Sequence, residues 1–192
     1  QANDPRSLEK PVLIFDGLHH AREIMTPEIV VDVAETMLKG LKANHKVRDL
    51  LSRWQIWIVP MLNVDGNNIV WTSNSMWRKN AHADAGQVFG VDINRNYPYR
   101  WNGCGGSSGR TSSDTYRGAS GASEPETQAL VRLAEKIRPT ASLSYHSYSE
   151  LVLYSYGCNG EFTAEKEMAE RIASELAKLL PADDNSGSYT HG

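Results

Sequence analysis

Apolar positions along the chain follow two periods, one suited to strands and one to helices. Val12–Leu13–Ile14–Phe15 is an apolar run of the length a buried strand needs. Ile29, Val30, Val33, Met37, Leu38 and Leu41 then recur at helical spacing, which predicts a helix laying one face on a sheet. Thr26 as a hydroxyl cap, Pro27 at the first helical position and Glu28 behind it mark its start; Gly40 and Asn44 mark its end. His45–Ser52 reads as a second short helix, and Trp54–Val59, rich in aromatic and β-branched residues, as a strand. Asn63–Val64–Asp65–Gly66 predicts a break in the chain.

From Asn67 to about Gly121 periodicity fades, and the glycines and serines between Gly103 and Gly109 predict loop. Ser123 with Glu126 forms a capping box for a helix carrying Leu130, Val131, Leu133, Ala134 and Ile137, stopped at Arg138–Pro139. Ala141, Leu143 and Tyr145 alternate with Ser142, Ser144 and His146, the pattern of a strand ending on a histidine. Leu151–Tyr154 predicts another strand. A last helix, from about Thr163 to Leu180, would bury Met168, Ile172, Leu176 and Leu179. Strands separated by helices predict an α/β fold of three layers, a mainly parallel or mixed β-sheet with helices on both faces.

Composition narrows the function classes. A chain of 192 residues with 40% hydrophobic and 22% charged content suits one ordinary globular domain. Its net charge of -3 gives no reason to expect nucleic acid or an anionic membrane as partner. A monomer is expected, though nothing in the charge or composition bears on it. No apolar run approaches the ~20 residues of a membrane span. Gln1–Lys10 is polar, so no leader peptide is read there. Cys104 and Cys158 are compatible with one disulfide or with two free thiols.

The candidate chemistry sits in Gly17–Leu18–His19–His20–Ala21–Arg22–Glu23, a polar knot between the first strand and the first helix. Open α/β sheets place ligand sites at such strand ends. His20 and Glu23, three residues apart, can bring a ring nitrogen and a carboxylate oxygen to one ion. A catalytic zinc takes three protein ligands, two of them often close in sequence, and His146 at another strand end is the natural third. His19 reads as structural, and His45, His82 and His191 lie in polar or terminal surroundings. Asp92 is a candidate to accept the second N–H of a ligating imidazole. Arg22, Arg78 and Arg95 fall in or beside irregular regions, and Arg95 next to the Asn94 amide suits capture of a carboxylate. No phosphate loop, dinucleotide fingerprint or nucleophile elbow is present.

Four blocks in register resemble the zinc metallocarboxypeptidases: His20–Ala21–Arg22–Glu23, Met76–Trp77–Arg78–Lys79, Gly90–Tyr97 and Tyr145–His146–Ser147–Tyr148–Ser149. The run Cys104–Ser108 followed by Thr115–Tyr116–Arg117–Gly118 is most similar to the bacterial carboxypeptidase T branch. The resemblance implies one Zn²⁺ held by His20, Glu23 and His146, with Asp92 behind the first histidine. It implies that Arg78 polarises the scissile carbonyl and that Asn94 and Arg95 bind the terminal carboxylate of a peptide or protein substrate. Arg22 and Tyr148 would line the more distant subsites. The activity implied is hydrolysis of a C-terminal peptide bond by a metal-activated water, in a secreted or periplasmic protein.

The same resemblance implies that residues 1–192 are one partial peptidase domain, its zinc-site portion, lacking the early strands. The family's general-base glutamate and mobile tyrosine would lie beyond Gly192, while Glu161, Glu165 and Glu167 read as solvated charge. Cys104 and Cys158 are expected to be bonded to each other. Two alternatives stand beside this reading. One keeps the fold but acts on peptidoglycan stem peptides; the other is a non-catalytic zinc-binding domain, against which the Arg78–Asn94–Arg95 set argues.

Overall fold

A computed structural model describes residues 10–158, 160–184 and 187–192, which form two compact units. The first comprises Gln1–Tyr99 and Ser108–Ser147, the second Arg100–Ser107 and Tyr148–Gly192. The polar reading of Gln1–Lys10 therefore lies, apart from Lys10, outside the described residues.

In the first unit the apolar run becomes β1 (Val12–Gly17), followed by α1 (Met25–Ala43), α2 (His45–Arg53) and β2 (Gln55–Val59). Next come α3 (Val64–Thr72), the two-residue strands β3 (Ala83–Asp84) and β4 (Gln87–Val88), α4 (Pro125–Ile137) and β5 (Ala141–Tyr145). The main sheet has the order β2–β1–β5 and both pairings are parallel, Ile14 standing opposite Trp57 and Ser142. A strand flanked on both sides and covered on both faces must be apolar almost throughout, which explains the unbroken run Val12–Phe15. Ile14 is 2% exposed and Phe15 7%. Helix α1 packs across all three strands, while α4 faces the side of the sheet that carries Ile14, Asp16, Ser142 and Ser144.

Several local signals resolve differently from their sequence reading. Thr26 does not cap α1, which starts at Met25 without a side-chain cap. Its hydroxyl turns inward instead, accepting from Leu18 N–H at 2.9 Å and donating to the Glu23 carbonyl at 2.9 Å. Ser123 likewise does not cap α4; Glu124 occupies that position and Ser123 Oγ donates to Glu124 Oε1. The expected break at Asn63 is a helix start, with Asn63 Oδ1 accepting from Gly66 N–H at 3.1 Å. Ala85 and Gly86 both have positive φ, the mirror-image turn that closes the two-residue β3–β4 hairpin.

The second unit pairs β6 (Leu151–Val152) in parallel with β7 (Thr190–His191) and packs α5 (Lys166–Leu179) on both. Ala173 and Ala177 are the residues α5 buries, whereas Met168, Ile172 and Leu179 are 56%, 49% and 78% exposed. The small side chains bring the helix close, so of the larger apolar stripe expected inside only Leu176 is half-buried and the rest is exposed. Cys104 and Cys158 are joined, with Cα atoms 4.8 Å apart.

Candidate metal centre

Three segments of the first unit deliver the site. The knot after β1 contains Leu18, a buried residue at φ +59, and both His20 and Glu23 that follow it are buried. Backbone and amide bonds fix the turn: Ala21 N–H donates to the Arg78 carbonyl at 2.9 Å, and Asn63 Nδ2 reaches the His19 and Lys79 carbonyls at 3.0 and 3.2 Å. Asn67 Nδ2 donates to the Ala21 carbonyl at 2.9 Å. The end of β5 supplies His146, and the 3₁₀ turn Ile93–Arg95 follows Asp92.

Here the imidazoles converge on one carboxylate. His20 Nδ1 lies 2.7 Å from Glu23 Oε1, His146 Nδ1 3.1 Å from Glu23 Oε2, and the two Nδ1 atoms 3.2 Å from each other. Ser147 N–H also donates to Glu23 Oε2 at 3.1 Å. Two ring nitrogens aimed at each other across a carboxylate form an acceptor-rich cluster that a proton relieves only in part and a cation relieves at all three atoms. A tetrahedral zinc with bonds of ~2.0–2.1 Å separates its ligands by about 3.3–3.4 Å, close to the spacings of the two rings. Histidine nitrogen and carboxylate oxygen are borderline-to-hard donors of the kind zinc takes. The residues fit the metal.

Behind this group the buried His20 Nε2 faces Asp92 Oδ1 at 3.3 Å, its nearest acceptor. An N–H on Nε2 leaves the lone pair on Nδ1, the tautomer a metal requires. The other Asp92 oxygen accepts from Arg78 Nε at 3.2 Å and Nη2 at 3.0 Å, and Oδ1 also accepts from Asn94 N–H at 3.0 Å. Burial pushes the Asp92 carboxyl up, but the hydrogen bond and charge of His20 and the charges of Arg78 and Arg95 hold it below its usual range. Burial acts on Glu23 in the same way, and His146 and His20 outweigh it, leaving the group at about 2. For His20 burial disfavours the cation, yet Asp92 and Glu23 raise its pKa in the metal-free chain.

The structure brings His20, Glu23, His146, Asp92, Arg78, Asn94 and Arg95 together in the first unit. Arg22 lies beside the same knot, its guanidinium donating to the Met76 carbonyl at 3.0 Å. Tyr148 belongs to the second unit and is 97% exposed. Glu161, Glu165 and Glu167 are exposed residues of that unit, and Glu161 pairs with Arg100. His19 is buried, its Nε2 2.7 Å from Tyr97 Oη; burial, with the charges of His146 and His20, lowers it to about 3, so it stays neutral. Beside His146 a cavity of about 410 Å³ opens between Asp16, Ser142 and Ser144 on one wall and Leu130, Val131 and Ala134 of α4 on the other.

Sequence reasoning missed Asn63, Thr26 and Lys79 as supports of the site. Lys79 Nζ ties down the loop after Arg110 through the Thr111 and Ser113 carbonyls at 2.7 and 3.0 Å. For Asn63 a signal existed, since an asparagine three residues before a glycine can cap a helix as readily as break one.

Fold and site together define an α/β scaffold that carries a candidate metal centre of two histidines and a glutamate. The sequence profile of the zinc carboxypeptidase family matches residues 2–192, and the chain belongs to that family. It is 37% identical over 180 residues to metallocarboxypeptidase A of Trichophyton rubrum, covering 89% of this chain and 42% of that protein. It is 35% identical over 203 residues to zinc carboxypeptidase A 1 of Anopheles gambiae, covering 95% and 46%. Among solved structures it resembles thrombin activatable fibrinolysis inhibitor (TM-score 0.84, 28% identity, 95% of this chain and 46% of that one). Carboxypeptidase A of Helicoverpa armigera is similar in the same degree, with TM-score 0.84, 26% identity, and 97% and 46% covered. The chain thus spans somewhat under half the length of the curated relatives it matches.

Proposed function

We propose that these residues are the zinc-site portion of a metallocarboxypeptidase that removes the C-terminal residue of peptides. The observation that carries this is the convergence of His20 Nδ1, His146 Nδ1 and Glu23 with Asp92 placed behind His20. Those three residues would hold Zn²⁺, which when bound supplies Lewis acidity and acidifies water. Asp92 keeps the His20 proton on Nε2. Arg78 is held by Asp92 through Nε and Nη2, so its guanidinium is pre-aimed and its Nη1 edge is the side left to polarise a carbonyl oxygen and stabilise the charge that develops there. Asn94 and Arg95, rigid in the 3₁₀ turn, would clamp the substrate's terminal carboxylate, and the neighbouring cavity would receive its side chain. Such a protein, carrying a disulfide, is read as acting outside the cytosol.

The clamp is the part that makes the activity exopeptidase rather than endopeptidase. Calorimetric titration of a short peptide and its C-terminal amide tests it. The acid should bind at least ~10-fold more tightly, the value of one charge-assisted pair. Equal affinities would remove the carboxylate clamp and with it the exopeptidase reading.

A further inference from the structure

The stretch that carries Asp92, Asn94 and Arg95 is held at both ends by groups that touch neither metal nor substrate in the scheme above. Upstream, Val91 N–H donates to Asn80 Oδ1 at 2.7 Å and the Val91 carbonyl accepts from Asn80 N–H at 2.9 Å. Downstream, Asn96 Nδ2 donates to the Arg117 and Ser120 carbonyls at 2.9 and 3.0 Å and to Ser123 Oγ at 2.8 Å. Both ends lead to one residue. Glu124 Oε2 accepts from Asn80 Nδ2 at 2.8 Å and faces His82 Nδ1 at 2.8 Å, while Oε1 accepts from Ser123 Oγ at 2.6 Å. Its backbone N–H donates to Asn96 Oδ1 at 3.1 Å.

Glu124 is 1% exposed, Asn80 2% and Asn96 0%. A buried carboxylate is costly unless its lone pairs are met, and here three donors meet them. Its backbone is anchored as the N-terminal cap of α4, where a negative charge also suits the helix end. Asn80 stands two residues after Arg78, and its partner Val91 stands one residue before Asp92. The Asn80–Val91 pairing therefore sets the distance at which Arg78 and Asp92 meet. Gly90 allows this close approach: a Cβ there would lie 2.6 Å from the Asn80 carbonyl oxygen.

We propose that Glu124 is the positioning residue of the site: its carboxylate through Asn80, and its N–H through Asn96, fix both ends of residues 91–96 and so the place of Asp92 behind His20. The geometric part stands in the metal-free protein; the effect on zinc affinity rests on the function proposed above. Residue-resolved amide hydrogen exchange of Glu124→Gln, without metal, tests the first. Glutamine cannot accept from all three donors, so the amides of Val91, Asp92, Arg95 and Asn96 should exchange about tenfold faster, the value of one buried hydrogen bond. Leu13 and Phe15 of β1 should be unchanged. Acceleration spread evenly over the chain, or none at residues 91–96, would overturn the proposal.

Zinc titration tests the second part. Glu124→Gln should weaken zinc about 10–100-fold, as loss of an outer-shell partner does. In an Asp92→Asn background the same change should then weaken it no further. Additive losses would make Glu124 merely structural. If the parent protein bound no zinc, the metal reading would fall while the exchange experiment still decided the geometric claim. His82→Ala, at a half-exposed partner of the same carboxylate, gives a milder variant should the glutamine form not fold. It should accelerate the same amides in the same direction, and unchanged exchange there would count against the proposal.

Discussion

Asp92→Asn is the perturbation that separates the electrostatics of this site most cleanly from its shape. The side chain is fully buried and its two oxygens have different tasks, Oδ1 toward His20 and Asn94 N–H, Oδ2 toward Arg78. Asparagine offers one oxygen, so either Arg78 or His20 meets an N–H₂ group. If the oxygen stays with Arg78, the amide nitrogen faces His20 Nε2 and draws the proton to Nδ1, where it blocks metal. If the oxygen turns to His20, Arg78 is left against a donor. Removing one partner of a buried pair costs about 3–5 kcal/mol, and the lower end applies because the retained oxygen keeps part of the network. Loss of an outer-shell carboxylate weakens metal about 10–100-fold, or ~1.4–2.7 kcal/mol. Urea unfolding in chelator should thus show a stability loss of about 3 kcal/mol. Zinc competition against a chromophoric chelator should show the loss of affinity. A variant within twofold of the parent in zinc affinity would refute the tautomer argument, whatever its stability.

Zinc affinity should depend on pH in a defined direction. Burial lowers the His20 pKa, but Asp92 and Glu23 raise it further than burial lowers it, so in the metal-free protein the proton competes with zinc where a free imidazole of pKa ~6.5 has lost it. Affinity should fall about tenfold per pH unit as pH drops through that raised value, one proton being displaced per metal, and constant affinity from pH 8 to 5 would contradict this. The Cys104–Cys158 bridge spans 54 positions, and the loop-closure relation gives it about 4 kcal/mol at 25 °C. Its reduction should lower the unfolding midpoint of the second unit's helix by circular dichroism without altering zinc stoichiometry.

The three side chains that converge at the site were more legible in the sequence than the residues that support them. His20, Glu23 and His146 stand out because few residue types can ligate a metal and these three fall at or just after strand ends. The unbroken apolar run of β1 announces a doubly covered parallel strand in the same way. Capping residues were misread for one reason: Thr26 and Ser123 had the right type at the right spacing, yet a hydroxyl beside a buried turn serves tertiary partners as well as its own helix. In α5 the periodicity was correct and the face was not, since burial went to Ala173 and Ala177, whose small size permits close packing. Glu124 and Asn80 gave no local signal at all, because their roles arise from pairing across 44 positions.

His20, Glu23 and His146 are proposed to hold one zinc ion. X-ray absorption at the zinc edge on the loaded protein tests it directly. Two imidazole nitrogens at ~2.0–2.1 Å and carboxylate oxygen at ~2.0–2.2 Å are expected, together with loss of bound zinc in both His20→Ala and His146→Ala. A shell without imidazole, or near-stoichiometric zinc retained by either variant, would contradict it.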